Sequence, residues 1–213
     1  MRNRNTPIAV EGYPFVAGAA FITVVSALLA GKLLVVVGLC VTLFIAFFFR
    51  NPERIPPEDA QAVLAPADGV VIYLGDAHEE HLDADMLKIS IFMSVFNVHI
   101  NRVPITGRVV ETFYKKGKFL DVRDECATFE NEQSGMVMET EGGARLVVVQ
   151  VAGLIARRIV CYAEKGDLLT RGARYGLIRF GSRLDIYLPK GTEPRVALGT
   201  KTVAGETILG MLS

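Results

Sequence analysis

The stretch Gly176–Pro189, GLIRFGSRLDIYLP, decides the fold class and raises the first chemical question. Read at the two-residue period of a strand, Ile178, Phe180, Leu184, Ile186 and Leu188 share one face, the mark of a strand turned toward a core. Ser182 falls on that same apolar face, and Gly181 precedes it where glycine weakens a strand. One reading is a bulge beside a locally hydrogen-bonded serine. The other is chemical. Glycine leaves its carbonyl open to approach, and the hydroxyl of the next residue can attack it to give an ester, provided a base and a strained or polarised peptide are at hand.

Outward from this stretch the chain keeps reading as β. GVVIYLG, LKISIFMSVF, GRVVETFY, GMVMET, RLVVVQVAG and RRIVCYAE are short β-branched runs separated by glycine and acidic turns. No long amphipathic helix interrupts them, although DVRDECATFENEQ (residues 121–133) has room for a helical turn. Two late segments are alike, KGDLLTRGARYGLI (165–178) and LGTKTVAGETILG (198–210): each is a polar turn, an apolar pair and then a glycine. Their pattern is similar to the paired hairpins of lipoyl and biotinyl carrier domains. The expected fold class is therefore mainly β, a compact barrel-sandwich-like domain.

The amino-terminal quarter differs. Mean hydropathy of the chain is +0.35, and the excess comes from Phe15 to Phe49, where Lys32 is the only charge. At about 1.5 Å per residue a single helix of that length would far exceed a hydrocarbon core of about 30 Å. AGKL (30–33) divides it into halves near the lower limit for a span, so a membrane-associated helical hairpin turning at Gly31 and Lys32 is expected. Arg2 and Arg4 precede the hairpin, and Arg50 and Arg54 follow it. A hairpin places all four on one side, which the positive-inside rule makes the cytoplasm. The run is too long for a secretory signal and lacks a small-residue cleavage site. The expected organisation is an anchor over 1–50, a proline-rich linker over 51–60 and a catalytic β domain over 61–213.

The 23 basic and 23 acidic side chains cancel, which removes the global field that draws in nucleic acid. Three widely spaced cysteines, Cys40, Cys126 and Cys161, form neither a disulfide framework nor a zinc site and fit a reducing compartment. His99, in SVFNVHINRVP, ends a strongly apolar run where its tautomer can be controlled, and is the best base available to Ser182. Asp68, in APADGVV, is either an Asp-Gly turn or the acid that orients that histidine. His78 and His81, in DAHEEHLDAD, invite a metal, but no complementary cluster stands elsewhere and a solvated loop is the expectation. Lys115, Lys116 and Lys118, in YKKGKF, suit an anionic head group or a solvated turn equally.

Five stretches in order give the chain its resemblance: FFFRNPER (47–54), APADGVV (65–71), FMSVFNVHINRVPITGRV (92–109), YKKGKFLDVRDECATFENEQ (114–133) and RFGSRLDIYLP (179–189). Together they resemble the phosphatidylserine decarboxylase proenzymes, in their short membrane-anchored bacterial form. The resemblance implies self-cleavage between Gly181 and Ser182, with Ser182 becoming a covalent pyruvoyl group, the sole cofactor, and no metal. It implies two chains that stay associated, a membrane phospholipid as substrate, and phosphatidylethanolamine as product at the cytoplasmic face of the inner membrane. His99 would serve as base and proton donor and Asp68 as its orienter. Longer members carry a second histidine where this chain has Arg102, a residue suited by charge to the substrate carboxylate or phosphate. The same chemistry on an ether-linked seryl lipid is a close rival. A non-enzymatic lipoyl-like module carrying a group on Lys201 is a distant one. Oligomeric state is left open, a homo-oligomer included.

Overall fold

The computed structural model describes residues 6–29, 31–123, 130–153, 158–179 and 182–212. Gly181 and Phe180, Cys126 and the rest of 124–129, the middle of the 121–133 stretch expected to hold a helical turn, lie outside the described residues, as do Arg2 and Arg4. The chain divides into two compact units, Met1–Glu53 and Arg54–Ser213.

The first unit is a helical hairpin, α1 (Tyr13–Leu29) and α2 (Lys32–Phe48). Val10–Leu29, 20 residues, is long and apolar enough to cross a bilayer; Lys32–Phe48 is equally apolar but shorter. Phe21, Ile22, Leu28, Leu29 and Leu33 are all largely exposed, so the hairpin presents apolar surface that water would penalise and lipid would not. The turn sits one residue earlier than expected. Gly31 is the extended N-cap of α2, and Lys32 opens the helix instead of forming the turn. The helices meet closely at Gly38, where a Cβ would lie 2.6 Å from Thr23 Oγ1. The Thr23 and Thr42 hydroxyls stand 3.2 Å apart there, each also within 2.8 Å of a carbonyl of its own helix. At the open end the Ala9 N–H donates to Phe49 O and the Asn51 N–H to Pro7 O, both at 2.8 Å. Entry and exit of the hairpin are thereby tied together.

The second unit is β throughout. Its strands are β1 (Ala62–Leu64), β2 (Gly69–Glu79), β3 (Ala84–Met93), β4 (Ile100–Arg102), β5 (Gly107–Lys115), β6 (Gln133–Glu139), β7 (Arg145–Ala152), β8 (Ile159–Cys161), β9 (Leu168–Leu169), β10 (Arg174–Ile178), β11 (Ser182–Leu188), β12 (Glu193–Pro194), β13 (Lys201–Thr202) and β14 (Ile208–Met211). A curled eight-stranded sheet runs β13-β2-β3-β11-β7-β6-β5-β9, and two three-stranded sheets run β1-β14-β12 and β4-β10-β8. The expected β runs all form strands. The segment around His78 is part of a hairpin arm of β2, not a loop.

The opening stretch is not one strand with a flaw but two strands in different sheets. β10 pairs with β4 and β8, whereas β11 pairs with β3 and β7. Between Ile178 and Ser182 the chain passes from one sheet to the other. Beyond Ser182 the alternation holds. Leu184, Ile186 and Leu188 enter the main core with Ile89, Ile91, Met93 and Val148, while Tyr187 enters a smaller cluster on the other face with Met86, Val147 and Val149.

The two look-alike segments are related by an internal two-fold, although neither forms a hairpin: β9 and β10 lie in different sheets, as do β13 and β14. Ala65–Val71 and Val103–Val109 share the pattern x-Pro-x-x-Gly-x-Val and cross each other: the Leu64 N–H donates to Pro104 O and the Arg102 N–H to Pro66 O, each at 2.9 Å. Gly172 N–H donates to Val103 O at 2.7 Å, matched by Gly205 N–H to Ala65 O at 2.8 Å. Gly166 to Val109 and Gly199 to Val71 repeat the match. Gly172 and Gly205 have φ of 74° and 78°, the left-handed conformation that admits glycine without strain.

Candidate active site

Ser182 is the first residue of the central strand of the large sheet, fully buried between Met93 of β3 and Ala152 of β7. Its hydroxyl faces Met93 Sδ at 3.9 Å, and a thioether is a weak acceptor. A buried hydroxyl held so lightly is available to chemistry.

The same sulfur takes a second donor. Asn101 Nδ2 lies 3.8 Å from Met93 Sδ, and Gln150 Nε2 donates to Asn101 Oδ1 at 2.8 Å. Asn101 and Gln150 are 0 % and 1 % exposed. Sequence reading missed both, although Gln150 was visible as the lone polar residue in RLVVVQVAG.

His99 immediately precedes β4 and is buried. Its Nδ1 lies 3.0 Å from the Asn97 carbonyl. A carbonyl only accepts, so Nδ1 carries the hydrogen and the neutral ring keeps its lone pair on Nε2, the form a general base requires. The Ile178 N–H donates to His99 O at 3.3 Å, which fastens this histidine to the strand that leads into 179–182.

Asp68 lies in the turn between β1 and β2. Its Oδ2 accepts from Arg54 Nη2 at 3.0 Å and its Oδ1 from the Ala204 N–H at 2.8 Å. Arg54 reaches Glu206 as well, at 3.7 Å. Among the described residues no hydrogen bond joins Ser182, His99 and Asp68. The structure brings His99 to the strand that leads into the cleavage pair, and gives Asp68 other partners.

Arg102 is buried, and its Nη1 donates to Gly172 O at 2.8 Å. Burial first, then the neighbouring Arg174 and Arg54, pull its pKa down to about 10, with Asp68 and Glu206 opposing. Arg102 and Asp68 thus share one charged cluster at the paired turns.

Lys118 Nζ is held by Glu130 at 2.6 Å, and Lys116 is exposed. Lys115 lines a cavity of about 570 Å³ with Lys88, Phe113, Asp185 and Tyr187. That cavity lies on the face of β11 opposite the Ser182 side chain. The loop after these lysines returns to the site: Asn131 Nδ2 donates to Ala152 O at 2.8 Å, and Arg183 Nη1 donates to Val122 O at 2.8 Å. Both attachments fall on residues next to or paired with Ser182. His78 sits between Asp83 and Asp85, while His81 stacks on Phe113 with ring centroids 3.5 Å apart. Among the described residues no three metal-ligating side chains cluster.

An apolar hairpin fit to enter a bilayer precedes a β unit that buries a serine hydroxyl at the start of its central strand. The model of the family described as phosphatidylserine decarboxylase matches residues 41–210. The chain is 74 % identical over 212 residues to the phosphatidylserine decarboxylase proenzyme of Geotalea uraniireducens (strain Rf4), covering all of both chains. It is 70 % identical over 217 residues to that of Geobacter metallireducens and 59 % identical over 219 residues to that of Pelobacter propionicus, again over the whole of each. This chain belongs to the phosphatidylserine decarboxylase family.

Proposed function

We propose that the chain is a pyruvoyl-dependent phospholipid carboxy-lyase, which cuts itself between Gly181 and Ser182 and then decarboxylates phosphatidylserine to phosphatidylethanolamine. One observation carries the reading: a fully buried serine opens the central strand, just after the chain has crossed between sheets, and among the described residues only a thioether meets its hydroxyl. The relatives' names supply the substrate and the proenzyme character.

In the proposed maturation Ser182 Oγ attacks the Gly181 carbonyl while His99 Nε2 takes the hydroxyl proton. The peptide C–N bond breaks to leave an ester. Loss of the Ser182 α-proton then breaks the Cβ–O bond and releases Gly181 as a carboxylate, and hydrolysis frees ammonia. The surroundings fit the resulting group, since residue 182 is fully buried against a thioether that also receives an amide donor. A pyruvoyl ketone supplies an electron sink for the pair left behind when carbon dioxide departs. His99 returns a proton to the substrate α-carbon. Arg102 is the cation proposed for the substrate's carboxylate or phosphate, with Lys115 and Lys116 as a basic rim and Lys118 held by Glu130. Asp68 supports this machinery through the charged turn it shares with Arg54 and Arg102, as an anion fixed in place.

Residues 1–50 act as anchor, 51–60 as linker and 61–213 as the catalytic part, on the cytoplasmic face. Arg50 and Arg54 beyond a hairpin closed at its base support that sidedness. Anchoring suits a substrate whose acyl chains need never leave the bilayer.

Intact mass of purified protein, before and after borohydride, tests the reading. Two chains meeting at 181/182, the smaller gaining two hydrogens on reduction, are expected. An active single chain overturns it, and added mass on Lys201 would favour a carrier module.

A further inference from the structure

We infer that Asn101 donates the hydrogen bond that stabilises the alkoxide formed when Ser182 attacks Gly181, and that Gln150 holds the Asn101 amide in the orientation this needs. The inference rests on the proposal that Ser182 is the self-cleavage nucleophile.

The orientation follows from donor and acceptor accounting. Gln150 Nε2 lies 3.4 Å from the Val160 carbonyl, which can only accept, so that end of Gln150 is the amide nitrogen. The same nitrogen meets Asn101 at 2.8 Å, so the Asn101 atom there is its oxygen. The Asn101 NH₂ must therefore point to Met93 Sδ, the atom that also faces Ser182 Oγ.

This is an expensive resting arrangement. A fully buried amide N–H loses its water and receives a thioether in return, an acceptor far weaker than oxygen. Gln150 Oε1 is buried and, among the described residues, has no hydrogen-bond partner. Two polar side chains in an apolar strand environment thus hold one strong donor on the thioether that the serine also faces, with no stronger acceptor among the described residues.

Such a donor gains most when charge appears next to it. As the Ser182 Oγ–C bond forms, the carbonyl electron pair of Gly181 moves onto its oxygen, and the hydroxyl proton passes to His99. The alkoxide is bonded to the carbon that Oγ has just joined, and so arises two bonds from the hydroxyl oxygen that shares Met93 Sδ with the Asn101 NH₂. Collapse re-forms a carbonyl, breaks the C–N bond and returns the proton to the Ser182 amine. A donor already in place needs no reorganisation at that moment, and removing one such donor slows comparable reactions by about 100- to 1,000-fold.

The test follows maturation of freshly synthesised full-length chain in vesicles, reading the fragment that begins at residue 182. Asn101→Asp keeps shape but offers only acceptors; a slowdown of about 100-fold or more is expected. Gln150→Glu leaves residue 101 intact yet attracts its NH₂, turning the oxygen toward the serine, and should slow maturation in the same way. Hydroxylamine cleaves any ester that has formed, so it should fail to rescue either variant, because both act before the ester. Wild-type maturation rates in Asn101→Asp overturn the inference, and so does rescue by hydroxylamine. Should Asn101→Asp lower the Tm, Gln150→Glu decides by the same two readouts. A wild-type chain that is active but uncut before Ser182 instead overturns the underlying proposal.

Discussion

Asp68 and Thr106 hold the same position in the two halves of the β unit. Asp68 Oδ1 accepts the Ala204 N–H at 2.8 Å, and Thr106 Oγ1 accepts the Arg171 N–H at 3.2 Å. Each follows an x-Pro-x triplet, precedes a glycine, and pins a glycine-containing turn of the opposing segment. A hydroxyl suffices for that task, so the carboxylate at 68 needs another explanation. Arg54, Arg102 and Glu206 gather only on the Asp68 side, where the two-fold is broken.

Asp68→Thr separates the two roles. It restores the turn acceptor and removes the charge. Asp68→Ala, leaving the buried Ala204 N–H without its partner, should cost about 1–3 kcal/mol of stability. Asp68→Thr should recover much of that loss in a thermal melt on the Ser182→Ala background. With Ser182 present, both should still mature slowly. Full-speed maturation of Asp68→Thr would confine Asp68 to the turn.

His99→Ala removes the one ring whose tautomer the Asn97 carbonyl fixes for accepting a proton. Self-cleavage should fall by about 100- to 10,000-fold, the usual contribution of a positioned base. Ser182→Ala should abolish the cut altogether. Gel analysis of pulse-labelled chain reads both; unchanged maturation in His99→Ala would send the search for the base elsewhere.

The β class was legible because its strands are β-branched runs with glycine and acidic turns, and because Leu184, Ile186 and Leu188 alternate with polar neighbours. The likeness of 165–178 to 198–210 pointed to an internal repeat, but not to hairpins, since the two strands of each segment lie in different sheets. The crossing of Ala65–Val71 with Val103–Val109 was hidden, since it is a contact between segments far apart in sequence. GLIRFGSRLDIYLP read as one strand because periodicity cannot show a change of pairing partners across residues 179–181. Ser182 stood out as a hydroxyl on an apolar face. Asn101 did not, because Ile100, Asn101 and Arg102 are all buried and alternation carries no signal there. Lys118 offered charge to a reader of the sequence, and its neutralisation by Glu130 depends on the loop's return.

On the opposite face of β11, Asp185 accepts Arg183 Nη2 at 3.0 Å, with Arg183 Nε and Lys88 Nζ 2.8 and 3.2 Å away. All three are almost wholly buried. Asp185→Leu would remove the carboxylate that two buried cations share, at a cost of about 3–5 kcal/mol. Arg183 also holds the Val122 carbonyl, so the segment around Val122 should loosen with it. Limited proteolysis between residues 115 and 133 should therefore accelerate in the variant. Unchanged cleavage there would mean the loop is held by Asn131 alone.

Alkaline stability turns on two tyrosines. Burial raises the Tyr175 phenol well above its ordinary value, and burial, helped by Asp185, also raises Tyr187. Unfolded tyrosine ionises near pH 10, whereas these two keep their protons in the fold. Above that pH the unfolded chain binds fewer protons than the native one, so stability falls as pH rises, by up to about 1.4 kcal/mol per pH unit for each phenol. Below pH 10 neither contributes a slope. Tyr175→Phe and Tyr187→Phe should each flatten the decline by one proton's worth. Tyr175→Phe should also cost little at neutral pH, because its buried hydroxyl has no hydrogen-bond partner among the described residues. Absorbance of the phenolate near 295 nm, followed with a melt at each pH, checks both statements. Ionisation of all six tyrosines in the folded protein near pH 10 would show that the core around β10 and β11 admits water.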